Sequence, residues 1–192
     1  VTSNITKFPT PEKTGYKFLG WYENEDFSGS AVNSISPGTV GDKVYYAKWE
    51  AKEYTYNIVY KSSTPEVELG TSTIKGLYGS STQVFPASFK GYTSPGPQTV
   101  TFNSTTAKTI TFVYTPIEYT ITWVLNGGSW GSISPREKYT IESERYVFET
   151  PSRANYKFGG WYDNPSFTGL STAALNKGIT GDRTYYAKWL AT

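Results

Sequence analysis

The chain repeats itself. Tyr16-Lys17-Phe18-Leu19-Gly20-Trp21-Tyr22 returns as Tyr156-Lys157-Phe158-Gly159-Gly160-Trp161-Tyr162, and Gly41-Asp42-Lys43-Val44-Tyr45-Tyr46-Ala47-Lys48-Trp49 returns as Gly181-Asp182-Arg183-Thr184-Tyr185-Tyr186-Ala187-Lys188-Trp189. From Thr10 to Trp49 the two copies align without a gap at an offset of 140 residues, with roughly half the positions identical. A module repeated within one chain is a folding unit that buries its own core. Arrays of such units supply reach, spacing or multivalency more often than chemistry, so the expected class is not an enzyme.

Missing residue types point the same way. Neither Cys nor His occurs in the 192 residues. That removes disulfides, thiol nucleophiles, imidazole-dependent triads and nearly all transition-metal sites, and no cofactor is expected. The formal charge of +2 is spread along the chain, whereas nucleic-acid binding needs clustered positive charge. No apolar run approaches the ~18 residues of a membrane span, so no membrane insertion is expected. The chain begins with Val and contains no Met, so it is read as a segment excised from a longer protein.

Aromatic residues make up 17% of the chain, and Gly and Pro punctuate it; this combination favours strands and turns. In the C-terminal copy, Tyr119, Ile121, Trp123 and Leu125 alternate with Thr120, Thr122 and Val124, which predicts a strand ending at Asn126-Gly127-Gly128-Ser129. Further strands are predicted at Lys138–Ile141, Arg145–Glu149, Tyr156–Tyr162 and Arg183–Leu190. The Gly159-Gly160 pair predicts a bulge. Ser171–Lys177, stopped by Gly178, is the helix-compatible window. One short helix across a sheet makes the expected fold a β-rich α+β, grasp-like (ubiquitin/SUMO-like) plan.

Between the copies the pattern changes. Tyr54, Tyr56, Ile58 and Tyr60 share one face of a predicted strand, and Thr71–Leu77 reads as a second. Gln98–Asn103 and Lys108–Tyr114 alternate across Ser104-Thr105-Thr106-Ala107 and read as a hairpin. Both junctions, Trp49–Tyr54 and Tyr114–Tyr119, are short and Gly-free, and Pro116 stiffens the second. The organisation expected is three tandem modules, 1–51, 52–116 and 117–192, in an elongated array.

The motifs Tyr-Lys-Phe-x-Gly-Trp-Tyr, Phe-x-Gly (Phe27-Ser28-Gly29 and Phe167-Thr168-Gly169) and Gly-Asp-x-x-Tyr-Tyr-Ala-Lys-Trp resemble the Listeria–Bacteroides repeat, the B-repeat type of internalins and other bacterial surface proteins. The opening Tyr119–Gly128 fits as well, in the third module only. The first module would therefore lack its opening strand and leave a sheet edge open, through upstream residues cut away or an edge borrowed from elsewhere; the cut is the preferred reading. The middle segment is similar to a mucin-binding-protein repeat through Tyr54–Lys61, Gly91-Tyr92 and Val100–Tyr114. The resemblance implies grasp-like modules and an extracellular, wall-associated setting in a Gram-positive bacterium.

Residues repeated at fixed spacing usually form a core, so Trp21, Trp49, Trp161 and Trp189 are read as core rather than as sugar platforms. Trp130 follows a Gly-rich turn, where both an exposed contact and a lid folded back on the core are open readings. Exposed beside Tyr139 and Tyr146, it would contact a ligand, and these three are the candidate contact residues. Glu23-Asn24-Glu25-Asp26 reads as a solvated loop rather than a calcium site, because its counterpart Asp163-Asn164-Pro165-Ser166 loses most of the charge. Asp42 and Asp182 read as turn residues, and Lys48 and Lys188 as a solvated strand face rather than isopeptide donors. The expected function is a stalk or spacer, with an adhesive role through a host or community surface protein or glycan. The alternative is a carbohydrate-binding accessory module of a secreted polysaccharide-degrading enzyme.

Overall fold

The computed structural model describes residues 7–63 and 66–192; residues 1–6 of the first expected module lie outside the described residues. The strands in chain order are β1 (Tyr16–Tyr22), β2 (Tyr46–Ala51), β3 (Glu53–Ser63), β4 (Glu66–Leu77), β5 (Ser81–Val84), β6 (Tyr92–Thr93) and β7 (Gln98–Thr101). There follow β8 (Thr109–Pro116), β9 (Tyr119–Val124), β10 (Lys138–Tyr139), β11 (Tyr146–Val147), β12 (Tyr156–Tyr162), β13 (Ala174–Leu175) and β14 (Arg183–Ala191). Among the described residues they form five small sheets, ordered β1-β2, β10-β9-β14-β12, β11-β13, β4-β3-β8-β6 and β5-β7.

No helix occurs among the described residues, so the expected α+β, grasp-like fold is corrected to an all-β one. The window Ser171–Lys177 shows why. Seven residues are too few to offset the cost of nucleating a helix. Extended, the same residues make three pairings: Thr172 N–H bonds Trp161 O at 2.7 Å, Phe148 N–H bonds Ala173 O at 2.9 Å, and β13 pairs with β11. Leu175 is thereby sunk into the core at 3% exposure.

The chain divides into two compact units. One comprises Val1–Tyr60 with Gly70–Phe85 and Gly96–Phe112; the other comprises Lys61–Leu69, Pro86–Pro95 and Val113–Thr192.

Within the first unit, β1 and β2 pair antiparallel, with a register shift between Phe18 and Gly20. Tyr56, Ile58 and Tyr60 are buried on one face, together with Val84, Val100, Phe102 and Phe112. The expected hairpin of Gln98–Asn103 with Lys108–Tyr114 does not form. β7 pairs instead with β5, Ser81↔Thr101 through Val84↔Gln98, and β8 lies beside β3. Phe102 is the pivot. Its ring lies 4.8 Å from that of Tyr56, and its backbone bonds Gly79 and Ser80. The chain leaves the β5–β7 sheet there rather than folding straight back. Alternation fixes which face a residue takes, and not which strand lies beside it.

Within the second unit, β9 enters parallel to β14, while β10 and β12 flank them antiparallel. A parallel neighbour demands a long crossover, and here it runs from Leu125 to Asp182. The register shift between Phe158 and Trp161 falls at the predicted Gly159-Gly160 bulge.

Candidate functional site: aromatic centres and module joints

Trp123 is the centre of the C-terminal copy. Its ring lies 4.8 Å from Trp161, 4.9 Å from Phe148, 5.4 Å from Tyr185 and 5.6 Å from Trp130. The Trp161 indole, 2% exposed, donates to Glu149 O at 3.0 Å, and Trp189 donates to Leu125 O at 2.8 Å. Buried indoles keep an N–H that must find an acceptor, and each here uses a backbone carbonyl. The repeated Trp161 is thus a core residue.

The three candidate contact residues lie around this centre. Trp130 is half-buried and stacked on Trp161 at 5.4 Å, folded back over the core. Tyr139 is 3% exposed, and its hydroxyl donates to Gly181 O. Tyr146 is half-buried; its hydroxyl donates to Glu149 and accepts the Arg136 N–H, with the Arg136 guanidinium over its ring. Burial, followed by the Glu149 bond, pushes the Tyr146 phenol up to about 12.

The first copy reproduces this construction where it has the residues. Trp21 donates to Pro9 O at 2.9 Å, Val32 N–H bonds Trp21 O at 2.8 Å, and Phe8 N–H bonds Asn33 O at 2.7 Å. Phe18 meets Trp21 at 5.5 Å and Trp49 at 5.3 Å, as Phe158 meets Trp161 at 5.4 Å and Trp189 at 5.5 Å. Phe27 and Phe167 both hold left-handed backbone, with φ of 58° and 54°. Such a φ is rare for a bulky residue, and its recurrence marks one shared turn. The profile of the Listeria-Bacteroides repeat domain matches residues 1–48 and 119–188. The chain belongs to that family.

Two relatives from Evansella cellulosilytica are similar along nearly the whole chain. One, named "Putative Gly-rich membrane protein", is 28% identical over 96% of this chain and 22% of its own length. The other, named "Putative membrane protein", is 26% identical over 97% of this chain and 28% of its own length. The chain thus spans about a quarter of each relative's length.

Other residues common to the two Listeria-Bacteroides repeats are used structurally. Lys48 lies over the Tyr22 ring at 5.4 Å, and Lys188 over Tyr162 at 5.3 Å. In the acidic loop, Asp26 accepts the Ser28 N–H at 3.0 Å, and that bond holds its carboxyl below the usual range. Among the described residues no three carboxylates converge as metal ligands. Asp182 accepts the Thr120 N–H at 2.9 Å, anchoring the start of β9. Its place in a Gly-Asp turn was legible in the sequence; its partner, far along the chain, was not.

Sequence reasoning noted two short junctions but missed what holds them. In the first unit, Lys52 N–H bonds Gly15 O at 2.9 Å, and Tyr78 N–H bonds Lys52 O at 2.9 Å. The Tyr78 ring covers Gly15, where a Cβ would stand 2.2 Å from the ring, and it meets Tyr16 at 5.6 Å and Tyr54 at 6.1 Å. In the second unit, Ile117 N–H bonds Gly91 O at 2.9 Å, and Tyr92 pairs with Pro116. A Cβ on Gly91 would stand 2.8 Å from Ile141 Cδ1, and the Tyr92 hydroxyl donates to Glu142 Oε1 at 2.8 Å. Each joint has a Gly at positive φ, 81° at Gly15 and 83° at Gly91, with a bulky side chain against it. The signal for both was a Gly-Tyr dipeptide, Gly15-Tyr16 and Gly91-Tyr92.

Proposed function

We propose that this chain is a non-enzymatic spacer segment of a bacterial surface protein, in which repeats are clamped to the intervening segment at short joints. The joint geometry carries the reading. A single residue, Lys52, separates β2 from β3, and two residues, Ile117 and Glu118, separate β8 from β9. Each joint is tied by backbone bonds to a Gly and closed by an apolar side chain packed on that Gly. Junctions so short and so bonded restrict rotation far more than a Gly/Ser linker. The family and the membrane-protein names of the two relatives favour display at the cell surface. Absence of His and Cys, and the use of the repeated aromatics as core, favour a mechanical role over a chemical one.

The lack of native Cys permits a direct test. Spin labels at Ser88→Cys and Leu170→Cys, both exposed and both in the second unit, should give one narrow distance distribution by pulsed electron resonance. Adding Gly91→Val should broaden it, because the branched side chain collides with Ile141 at a φ it rarely adopts. A broad distribution in the otherwise native chain would exclude a stiff spacer.

A further inference from the structure

The Asn126-Gly127-Gly128 turn that follows β9 is fastened to β14 and to Arg153. Asn126 and Gly127 hold φ of 47° and 86°, and Gly128 N–H bonds Leu125 O at 2.9 Å, as in a two-residue type I′ turn. Leu125 O also takes the Trp189 indole N–H at 2.8 Å, and the Asn126 side-chain amide donates to Ala187 O at 2.9 Å. Both glycines make room for a neighbour. A Cβ on Gly128 would stand 2.3 Å from Trp189 Cζ2, and one on Gly127 would stand 3.2 Å from Arg153 Cζ.

Arg153 is fixed against this turn. Its guanidinium lies over the Tyr156 ring at 3.8 Å, and Nη1 donates to Asn126 O at 3.1 Å. A guanidinium carries five N–H donors, and Arg153 forms no ion pair among the described residues. Beside it lies a cavity of about 350 Å³, lined by Asn126, Arg153, Pro165, Phe167, Tyr186 and Trp189. Among the described residues no acidic side chain lines it. The Phe167 wall is set by its own turn: Asn164 Oδ1 accepts the Thr168 N–H at 3.0 Å, and the Phe167 ring meets Tyr162 at 5.6 Å. The first repeat does not keep this combination, for Lys13 stands at the Arg153 position and Glu25 at the Pro165 position. The residues that follow the first repeat, Lys52 and Tyr78, meet it at Gly15 and Tyr16. The counterparts of that pair, Asn155 and Tyr156, lie outside the cavity lining.

We propose that this cavity binds a sugar acid, a pyranose ring bearing a carboxylate, as in a uronic acid unit of a polysaccharide. The carboxylate pairs with the N–H groups that Arg153 has left after its bond to Asn126, a planar fork that matches two oxygens at once. The apolar C–H face of the ring settles on Tyr186 and Phe167, which offer aromatic walls. A volume of about 350 Å³ is at the small end of ligand pockets and suits a single sugar unit. A fixed cation with no carboxylate partner selects an acidic sugar over a neutral one. Glycan recognition of this kind is separate from the spacer role, and either can fail without the other.

The test is a nuclear magnetic resonance titration of the 192-residue protein with methyl glucuronide. Saturable shifts are expected at the Asn126–Gly128 amides and the Trp189 indole N–H. Methyl glucoside, the same ring without the carboxylate, and acetate, the carboxylate without the ring, should each bind at least ~10-fold more weakly. That comparison uses the unmodified chain, so it stands whatever a variant does to folding. Arg153→Lys and Pro165→Glu each install the residue of the first repeat, and both should leave the unfolding midpoint nearly unchanged. Arg153→Lys loses the fork and should weaken methyl glucuronide by at least ~5-fold. Pro165→Glu sets a like charge at the rim and should weaken it by at least ~5-fold, less so at high salt. No saturable shift, shifts confined to other residues, or equal binding of methyl glucoside or acetate would each overturn the proposal. So would an unchanged affinity in either folded variant.

Discussion

Trp161 and Trp21 occupy the same position of the repeat and donate the same indole N–H to a carbonyl twelve residues earlier. What covers them differs. Trp123 and Trp130 both pack on Trp161, leaving it 2% exposed, while Trp21 stays half-exposed beside an open cavity. Trp161→Ala should therefore destabilise its unit by ~3–5 kcal/mol, through lost transfer energy and a cavity that cannot collapse. Trp21→Ala should cost about 1–3 kcal/mol, since part of that ring is already in water. Denaturant unfolding of the two variants would rank them, and equal losses would contradict the difference in packing. Tyr92 gives a second prediction at this scale. Burial first, and then its bond to Glu142, push its phenol up to about 12. A raised phenol leaves stability unchanged below the unfolded value near 10. Above it the unfolded state releases a proton that the folded state retains, so stability falls as pH rises from about 10 to about 12. Tyr92→Phe should flatten part of that alkaline loss, as followed by denaturant midpoints from pH 9 to 12; an unchanged slope would refute the assignment.

Both repeats carry Tyr-Tyr-Ala-Lys-Trp, yet β14 runs from Arg183 to Ala191 and β2 only from Tyr46 to Ala51. Local propensity cannot account for three lost residues, because Val44 and Tyr45 suit a strand at least as well as Thr184 and Tyr185. The difference follows from β9, whose backbone groups pair with Arg183–Tyr186. In hydrogen exchange of the free protein, amides of Val44–Tyr46 should exchange at least ~10-fold faster than those of Thr184–Tyr186. The Tyr16–Tyr22 strand should likewise exchange faster than Tyr156–Tyr162. Equal protection would mean that the parallel strand is dispensable. The misread elements obey the same rule. Ser171–Lys177 had a composition compatible with a helix, and Gln98–Tyr114 an alternation compatible with a hairpin. In both, strands distant in sequence supplied better partners for the backbone.

Across the whole chain, much of the repeat was legible from residues alone. The strands Tyr156–Tyr162 and Arg183–Leu190, the bulge at Gly159-Gly160 and the burial of Trp161 were all read correctly, because alternation, turn residues and repeated spacing are local signals. Of the candidate contact residues, the sequence placed Trp130 in a turn and left its direction open; the aromatic floor formed by Trp123 and Trp161 turned it inward. Tyr139 gave no sign that its hydroxyl would reach Gly181. The clamps at Gly15 and Gly91 were visible only as Gly-Tyr dipeptides, since what makes them joints is Tyr78 and Ile141 arriving from elsewhere in the chain. The sequence by itself determined where strands and turns fall and which face of each is apolar, for these depend on neighbours a few residues apart. The tertiary structure decided which edges pair, which aromatic positions are covered and whether any helix survives. Those outcomes turn on burial and backbone pairing between segments tens of residues apart, where the free energy belongs to the contact and to neither segment alone.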